Sequence, residues 1–319
     1  MKTLSLEAFL SDKRGPLALE VLAGNVARAR AIDNPSVSSP GLILTGFTER
    51  APAGRLQVLG ETEVAFLYSL SAADLDRALE RLFSLDLPAV VITKGQDVPE
   101  RLLEVARAHN VPVLRSALKT GDCYRRLQRY LEGIFAPTTT LHGSMADVYG
   151  VGLMITGRSG IGKSECVLDL VERGHRLVAD DLVYVSKQGD DVLIARGHEL
   201  QRHHMEIRGI GIIDIPALFG VRSIRQQKRI EVVVRLVDWH EKDTYDRTGL
   251  ETEQVEVLGV NIPQVTIPLN PGKNITVISE VIAMNHLLKY TGVNSAERFN
   301  QNLQAAMRPV RNYLEEDYE

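Results

Sequence analysis

The chain has 319 residues, which is too long for one small core and predicts two domains of ordinary size. Its hydrophobic fraction of 44% and its charged fraction of 24% are near the average for globular proteins, which argues against a disordered or fibrous chain. The formal net charge of -4 supplies no broad cationic field, so nucleic acid is not an expected partner.

The cysteines and the apolar runs bear on where the protein acts. Cys123 and Cys166 are too few and too far apart for a disulfide framework, which fits a reducing compartment. Glu7, Asp12 and Lys13 interrupt the N-terminal segment before a signal-length apolar core develops. No later apolar run approaches the roughly 18 residues of a membrane span. We therefore expect a cytoplasmic protein without membrane contact.

The first third of the chain alternates strand-like and helix-like patterns. Strands are predicted for GLILTGF, RLQVLGETEVAFLYSL, PAVVIT and VPVLRS. Helices are predicted for SAADLDRALERLFSL, where Ser71 and Asp74 form an approximate capping box, for DVPERLLEVARAHN with Asp97 as N-cap, and for GDCYRRLQRYLEGIF. This alternation is typical of an α/β domain, which we place at residues 1–133.

The second domain is predicted at residues 134–319. The boundary is placed at the segment APTTT, where Pro137 and three threonines favour extended chain over continued helix. Strand-like segments follow in MADVYGVGLMIT, HRLVADDLVYVS, IRGIGIIDIPALFG, RIEVVVRLVDW, VTIPL and ITVIS. The chain closes with the helical patterns EVIAMNHLLKY and SAERFNQNLQAAMRPVRNYLEE. We expect a mostly β core with C-terminal helices.

The segment GRSGIGKS matches the phosphate-loop pattern G-x-x-x-x-G-K-[ST]. Glycine-rich backbone can turn its N–H groups toward phosphate oxygens, a lysine adds a positive charge, and a serine hydroxyl can reach magnesium. An apolar strand precedes the loop and an amphipathic helix ending at Gly174 follows it, which argues against a chance glycine turn. The expected nucleotide-binding residues are Gly157, Arg158, Ser159, Gly160, Ile161, Gly162, Lys163 and Ser164.

Two adjacent acids, Asp180 and Asp181, follow the strand RLVA. The carboxyl end of a strand in an open α/β sheet is where ligands bind. One acid there suits magnesium, and the second is left for proton transfer from an attacking hydroxyl. The alternative is that both acids merely end a strand at a turn.

Other polar residues remain ambiguous on sequence logic alone. His142 lies fifteen residues ahead of Gly157, and a lone histidine is more often structural than catalytic. Glu206 and Arg208 share one face of an extended segment and could meet magnesium and phosphate, or form a solvated pair. Arg247 lies in the turn-rich DTYDRTG, where it could clamp a phosphoryl group or face water.

Taken in order, several segments resemble the bacterial HPr kinase/phosphorylase family. They are HGSMADVYGVG, GRSGIGKSE, RGHRLVADD, EIRGIGIIDI and PLNPGKN, and GLILTG and RLQVLG resemble that family's N-terminal domain. The resemblance covers the whole chain. It implies ATP- or pyrophosphate-dependent phosphorylation of a serine of HPr, and phosphorolysis of phosphoserine-HPr by inorganic phosphate that yields pyrophosphate. It further implies Mg²⁺, a homohexamer and a role in regulating carbon metabolism and sugar uptake.

The resemblance also assigns roles to residues. It implies catalytic roles for His142, Lys163, Asp181 and Arg247, magnesium binding by Ser164 and Glu206, and supporting roles for Asp180 and Arg208. The segment associated with phosphorolysis is Pro268, Leu269, Asn270, Pro271, Gly272 and Lys273. By analogy, the C-terminal helix around Ala296 to Arg311 contacts HPr or a neighbouring subunit.

Two positions depart from the family's pattern. The second loop residue, often acidic in the family, is Arg158 here, which predicts added positive charge at the phosphate entrance. Asn270 stands where a basic residue is usual, which predicts a weaker site for inorganic phosphate. Separately, Arg222, Arg225 and Arg229 recur at helical spacing in RSIRQQKR and suit either a docking face or a solvated face.

Two rival functions remain on the sequence alone. A nucleotide hydrolase or switch GTPase would carry a guanine-reading N-K-x-D segment after the loop, and none is present. A nucleotide-binding regulator without catalysis would not need Lys163, Asp181 and Glu206 together, so their presence argues against it.

Overall fold

The computed structural model describes residues 2–49, 53–198, 202–239, 253–270 and 272–316. The chain separates into two units, Met1–Ala136 and Pro137–Glu319. The last helix of the first unit ends at Phe135, and the first strand of the second begins at Thr138. Among the described residues, no helix is both long enough and apolar enough to cross a membrane.

The first unit is an α/β domain built on one mixed sheet. Its helices are α1 Leu6–Lys13, α2 Gly41–Thr45, α3 Glu61–Ser69, α4 Ala72–Phe83, α5 Glu100–Ala108 and α6 Thr120–Phe135. Its strands are β1 Leu19–Ala23, β2 Val37–Ser38, β3 Leu56–Leu59, β4 Val90–Ile92 and β5 Val113–Ser116. The strands lie in the order β1-β5-β4-β3-β2, with β1 antiparallel to β5 and the remaining neighbours parallel.

Both faces of this sheet are covered. Successive side chains of a strand point to opposite faces, so Val90 and Ile92 enter one buried cluster with α4 and α5. Val91 enters the other cluster, with α1 and α6. Burial on both faces explains why β4 consists of an uninterrupted apolar run.

Several local predictions in this unit are confirmed and others are wrong. Ser71 caps α4 by accepting a hydrogen bond from the Asp74 amide at 3.3 Å, as predicted. GLILTGF is helix α2 rather than a strand, and Gly46 ends it in the left-handed region with φ +110°. The segment after β3 is helix α3, because the Glu63 side chain accepts from the Gly60 amide and starts a turn there. Asp97 is not the N-cap of α5, which Pro99 precedes directly.

The second unit has a mostly β core. Its strands are β6 Thr138–His142, β7 Ser144–Val148, β8 Val151–Thr156, β9 Arg176–Ala179, β10 Leu182–Gln188, β11 Val192–Gly197, β12 His204–Ile207, β13 Gly211–Asp214, β14 Lys228–Arg229, β15 Val232–Asp238, β16 Glu253–Val257 and β17 Val260–Leu269. Its helices are α7 Lys163–Glu172, α8 Ile215–Phe219, α9 Ile275–Tyr290 and α10 Ser295–Glu316. The predicted fold class, an α/β domain followed by a phosphate-loop domain with a β core and C-terminal helices, is confirmed.

The main sheet of this unit has the order β16-β17-β15-β8-β7-β9. Strands β8, β15 and β17 run parallel in its centre, so their carboxyl ends reach the same edge. Thr156, the last residue of β8, lies in register with Arg235, and Asp238 lies in register with Leu269. A second sheet has the order β14-β11-β10-β6, and β12 and β13 form a hairpin.

Helices α7 and α9 cover one face of the main sheet. The four predicted inward residues of α7 are buried: Cys166, Val167, Leu170 and Val171. ITVIS begins α9 and is not a strand, because the Asn274 side chain caps it by accepting from the Val277 amide at 3.1 Å. RSIRQQKR is not an extended helix either: a short 3₁₀ turn at Val221–Ser223 is followed by irregular chain and β14.

Candidate active site

The phosphate loop joins the carboxyl end of β8 to the start of α7. Because the first N–H groups of a helix have no partner within the helix, this end of α7 is suited to an anion. The Lys163 amine donates hydrogen bonds to the carbonyl oxygens of Gly157 at 3.1 Å and Arg158 at 3.0 Å. These contacts hold the lysine side chain against the loop. When a nucleotide binds, phosphate oxygens can take the place of the two carbonyl oxygens as acceptors for the amine.

Arg208 packs directly against the loop. Its guanidinium Nη2 donates to the Ser159 hydroxyl at 3.4 Å. A Cβ atom added to Gly160 would lie 2.6 Å from Arg208 Nη1, and Gly160 has a φ of +75°. The backbone angle favours glycine here, and a larger residue would also displace the arginine from the loop.

Asp180 is a buried acid at the centre of the site, with 8% of its surface exposed. One of its oxygens, Oδ1, accepts from the Ser144 hydroxyl at 2.5 Å and from the Ser164 hydroxyl at 3.0 Å. Burial raises the pKa of Asp180 above its ordinary value, while the hydrogen bonds from the two serines oppose that rise. The carboxylate thus links β7 and the start of α7.

Asp181 has a different environment from its neighbour. Its side chain is 68% exposed, and its Oδ1 lies 4.0 Å from Nδ1 of His142. His142 ends β6 and lies in register with Leu182 of β10, and the Gly143 amide donates to the Asp181 carbonyl at 3.0 Å. The strand pairing therefore brings His142 next to Asp181 across 39 positions of sequence.

A small cavity of about 140 Å³ collects most of the predicted residues. Its polar lining includes Lys163, Ser164, Asp180, Asp181, Glu206 and Arg208. Glu206 lies on β12, is exposed and lines the same cavity as the loop. The structure thus brings Glu206 and Arg208 together with the loop and with both aspartates.

The donor set fits magnesium. Mg²⁺ is commonly held by one or two carboxylates, a hydroxyl and substrate phosphates rather than by a complete protein cage. Ser164, Asp180 and Glu206 supply such oxygens around one cavity. Within the described residues, no group of three or more histidine, cysteine, aspartate or glutamate side chains forms a metal cluster by itself.

Arg158 does not bring an uncompensated charge to the loop. Its Nε donates to Oδ2 of Asp238 at 2.6 Å, and its Nη2 donates to Oδ1 at 2.8 Å. Asp238 raises the pKa of Arg158 through these bonds. The predicted added charge at the phosphate entrance is therefore paired with a carboxylate at the end of β15.

The phosphorolysis segment begins at the end of β17, on the same sheet edge as the loop. The Lys273 amine donates to the Pro268 carbonyl at 2.9 Å, and the Lys273 amide donates to the Asn270 carbonyl at 3.1 Å. Leu269 is the last residue of β17, and Gly272 lies in the turn that follows. Pro271 and Arg247, both among the predicted residues, lie outside the described residues.

Two residues of the site were not singled out from the sequence. Ser144 lies two residues after His142 and, being fully buried, donates to Asp180. Asp238 ends the strand RIEVVVRLVD, and an acid at the carboxyl end of a buried strand was a usable signal for it. No comparable sequence signal marks Ser144, because its role depends on the pairing of β7 with β8 and β9.

The site combines a phosphate loop, a buried acid hydrogen-bonded to the loop serine and an exposed acid that lines the same cavity as the loop lysine. This combination is typical of a P-loop protein of the phosphotransferase type. Models of the HPr serine kinase N terminus and of the HPr serine kinase C-terminal domain match residues 5–131 and 133–303. The HPr kinase/phosphorylase of Bacillus mycoides is 44% identical over 91% of this chain and 94% of its own. That of Bacillus cereus strain B4264 is 43% identical over the same shares.

A solved structure, the HPr(Ser) kinase/phosphatase from Coxiella burnetii, is 35% identical and covers 50% of this chain and 98% of its own, with a TM-score of 0.45. The matches to the family models and to the Bacillus proteins show that this chain belongs to the HPr kinase/phosphorylase family. It is therefore an enzyme of the kinase class, and a kinase of this family uses ATP as its phosphoryl donor.

Proposed function

We propose that this enzyme transfers the γ-phosphoryl group of ATP, or a phosphoryl group of pyrophosphate, to a serine of HPr. It also removes that group by phosphorolysis. The observation that carries the proposal is the contrast between the two adjacent acids. Asp180 is buried and hydrogen-bonded to Ser164, whereas Asp181 is exposed and lines the same cavity as Lys163. One acid is thus available for the metal and the other for a proton.

In the forward direction, Asp181 accepts the proton of the serine hydroxyl as its oxygen attacks the γ-phosphorus of ATP. The bond between the γ-phosphorus and the bridging oxygen breaks, and ADP leaves. Lys163 and the loop amides stabilise the charge that spreads over the transferred group. Arg247 is proposed to do the same from the segment outside the described residues.

His142 is proposed to keep Asp181 in place. With its Nδ1 4.0 Å from Asp181 Oδ1, the imidazole is near enough to form a hydrogen bond after a small side-chain movement. Ser164 and Glu206 are proposed to hold magnesium, assisted by Asp180 through the bond to Ser164. Magnesium, when bound, supplies positive charge to the phosphate oxygens.

In the reverse direction, an oxygen of inorganic phosphate attacks the phosphorus of phosphoserine. The serine oxygen leaves and takes the proton from Asp181, and the two phosphate units form pyrophosphate. The residues from Pro268 to Lys273 are proposed to help receive the incoming phosphate. Lys273 supplies a positive charge to this segment. Its amine donates to the Pro268 carbonyl, a neutral acceptor that does not cancel the charge.

The setting of the enzyme is part of the proposal. We place it in the cytoplasm, as a homohexamer that controls carbon metabolism and sugar uptake, with catalysis in residues 134–319 and an N-terminal domain in residues 1–133. Exposed apolar side chains on α9 and α10, among them Val281, Leu287, Phe299, Leu303 and Met307, support burial of these helices against HPr or a neighbouring subunit.

The test of the forward reaction is product analysis. Purified enzyme is incubated with ATP and magnesium, with and without HPr, and phosphoserine on HPr is measured together with ADP and free phosphate. We expect ADP to form in step with phosphoserine and only in the presence of HPr. An HPr in which the acceptor serine is alanine is the matched control. Equal ATP consumption with and without HPr, yielding free phosphate, would identify a hydrolase instead.

The test of the reverse reaction uses phosphoserine-HPr, magnesium and inorganic phosphate. We expect pyrophosphate to accumulate in proportion to the loss of phosphoserine. Asn270→Lys adds the cation that the family usually carries and should lower the phosphate concentration for half-maximal rate. If orthophosphate alone accumulates, the enzyme hydrolyses phosphoserine and the phosphorolysis proposal is wrong.

A further inference from the structure

The N-terminal unit contains a cationic cavity, although the whole chain has a formal net charge of -4. The cavity has a volume of about 510 Å³ and lies between the end of α1, the turn that follows it and one face of α6. Its charged lining consists of Lys13, Arg125, Arg126, Arg129 and Asp122. These four cations face two carboxylates, Asp122 in the lining and Asp12 at 3.3 Å from the Lys13 amine. The surplus of positive charge makes the cavity attractive to anions.

The periodicity of α6 creates this lining. Cys123, Leu127 and Leu131 are buried in the core of the unit, which turns the opposite side of the helix outward. Arg125 and Arg129 are four residues apart on that outward side. Like charges at this spacing destabilise a helix by roughly 0.2–0.5 kcal/mol, so helix stability does not account for the cluster.

Two of the arginines keep their charge unpaired. Arg126 Nη1 donates to the Pro16 carbonyl at 2.9 Å, which fixes the guanidinium without neutralising it. In the described part of the chain, no carboxylate forms an ion pair with Arg126 or Arg129. Arg125 is different, because it pairs with Asp122 at 2.5 Å on the same helix.

Lys13 and Tyr130 form the other wall of the cavity. The Lys13 amine lies 4.4 Å from the centre of the Tyr130 ring and 3.3 Å from Asp12. Burial, together with a hydrogen bond to Asp12, raises the pKa of Tyr130 to about 12, so the phenol stays neutral at physiological pH. The ring therefore fixes the position of the lysine without adding negative charge.

We propose that this cavity binds a small molecule that carries two or more closely spaced phosphate groups. Guanidinium groups bind phosphate oxygens through paired N–H donors, and several adjacent cations favour a ligand with several adjacent charges. The volume lies in the range of small-molecule pockets, roughly 300–1,000 Å³. The site is separate from the phosphate loop, because every residue that lines it belongs to the unit Met1–Ala136.

The experiment uses the full chain and tripolyphosphate as the probe, with binding measured by calorimetry. We expect the unaltered protein to bind at two classes of site per chain. Lys163→Ala should weaken the one at the phosphate loop and leave the other intact. Arg126→Ala/Arg129→Ala should weaken the N-terminal class at least tenfold and leave the loop class intact.

Matched variants separate the site from general charge. Arg77→Ala/Arg107→Ala removes two exposed arginines of α4 and α5 from the same unit and should leave both classes of binding unchanged. Arg126→Lys/Arg129→Lys retains the positive charges and should keep a measurable part of the tripolyphosphate binding at the N-terminal site. Such binding would also show that the N-terminal unit of this variant is folded. The proposal is overturned if one class of site alone is found and Lys163→Ala removes it, or if Arg126→Ala/Arg129→Ala binds like the unaltered protein. A failed phosphoryl-transfer assay would not affect either result.

Discussion

The guanidinium of Arg158, inside the phosphate loop, forms two hydrogen bonds with the carboxylate of Asp238, at the end of β15. The two side chains are 62% and 47% exposed, so the pair lies at the surface of the site. Arg158 therefore joins the loop to the neighbouring parallel strand, and its charge is largely balanced before any phosphate binds.

Removing the balancing acid should make the loop more attractive to anions. In Asp238→Asn, we expect pyrophosphate to bind about threefold more tightly at low salt, because Arg158 then presents an uncompensated charge. The gain should shrink at high salt, since exposed charges are screened. Calorimetric titration with pyrophosphate at two ionic strengths measures the gain in affinity and its loss with salt. Arg158→Ala/Asp238→Asn is the control and should bind pyrophosphate with the affinity of the unaltered protein. If this double variant binds as tightly as Asp238→Asn, the charge of Arg158 is not the cause of the gain.

Asp181 should control the chemical step rather than nucleotide binding. We expect Asp181→Asn to lower kcat for transfer to HPr by about 10²–10⁴-fold, the usual contribution of a general base, with the KM for ATP changed little. Asp190→Asn removes an exposed acid from the turn after β10 and should leave kcat unchanged. Transfer at the normal rate in Asp181→Asn would remove this residue from the role of base.

Ser144 should act through Asp180. Ser144→Ala removes a hydrogen bond to the buried carboxylate of Asp180, a type of bond that contributes roughly 1.5–3 kcal/mol. Asp180 also accepts a hydrogen bond from Ser164, so a less firmly held carboxylate should affect Ser164 as well. We expect the magnesium concentration for half-maximal nucleotide binding to rise about fivefold. Ser186→Ala, on β10, is the control, because its hydroxyl bonds only to the Ile194 carbonyl among the described contacts. A magnesium dependence like that of the unaltered protein would show that Ser144 has no such effect.

We expect Glu280 to make the free energy of unfolding depend on pH in the acid range. Its carboxylate on α9 accepts from Arg173 at 2.7 Å and 2.9 Å and lies 3.0 Å from the His175 Nε2. Arg173 lowers the pKa of Glu280 most, against the effect of burial, and His175 lowers it further. A lowered pKa in the folded state means that this stabilisation is present above the ordinary value of 4.5 and is lost as pH falls through the folded value.

The corresponding variant is Glu280→Gln. We expect it to reduce the free energy of unfolding by about 2 kcal/mol at neutral pH, with the difference from the unaltered protein shrinking below about pH 4.5. Denaturant titration at several pH values measures both effects. Glu172→Gln, an exposed position on α7, should change stability little at any pH. A deficit in Glu280→Gln that is the same at pH 3 and pH 7 would show that the charge is not responsible.

The sequence predicted the parts of the structure that short-range patterns determine. The buried face of α7 and the cap at Ser71 follow from helical spacing and a local hydrogen bond, and both are confirmed. Short apolar runs are ambiguous: GLILTGF became α2 and ITVIS began α9, where Gly46 and Asn274 carried the helix signals. Asp238 carried a usable signal as an acid at the end of a strand, but its pairing with Arg158 and that of Ser144 with Asp180 could not be predicted, because strand pairing brings these partners from 80 and 36 positions away.

The backbone at Asp181 has a φ of +63°, in the left-handed region. Aspartate, asparagine and glycine enter this region at low cost, whereas β-branched residues do not. The backbone angle therefore favours aspartate over glutamate at this position, independently of any requirement of the chemistry. Asparagine is therefore the substitution that removes the charge of Asp181 while keeping both its preferred backbone angle and the length of its side chain.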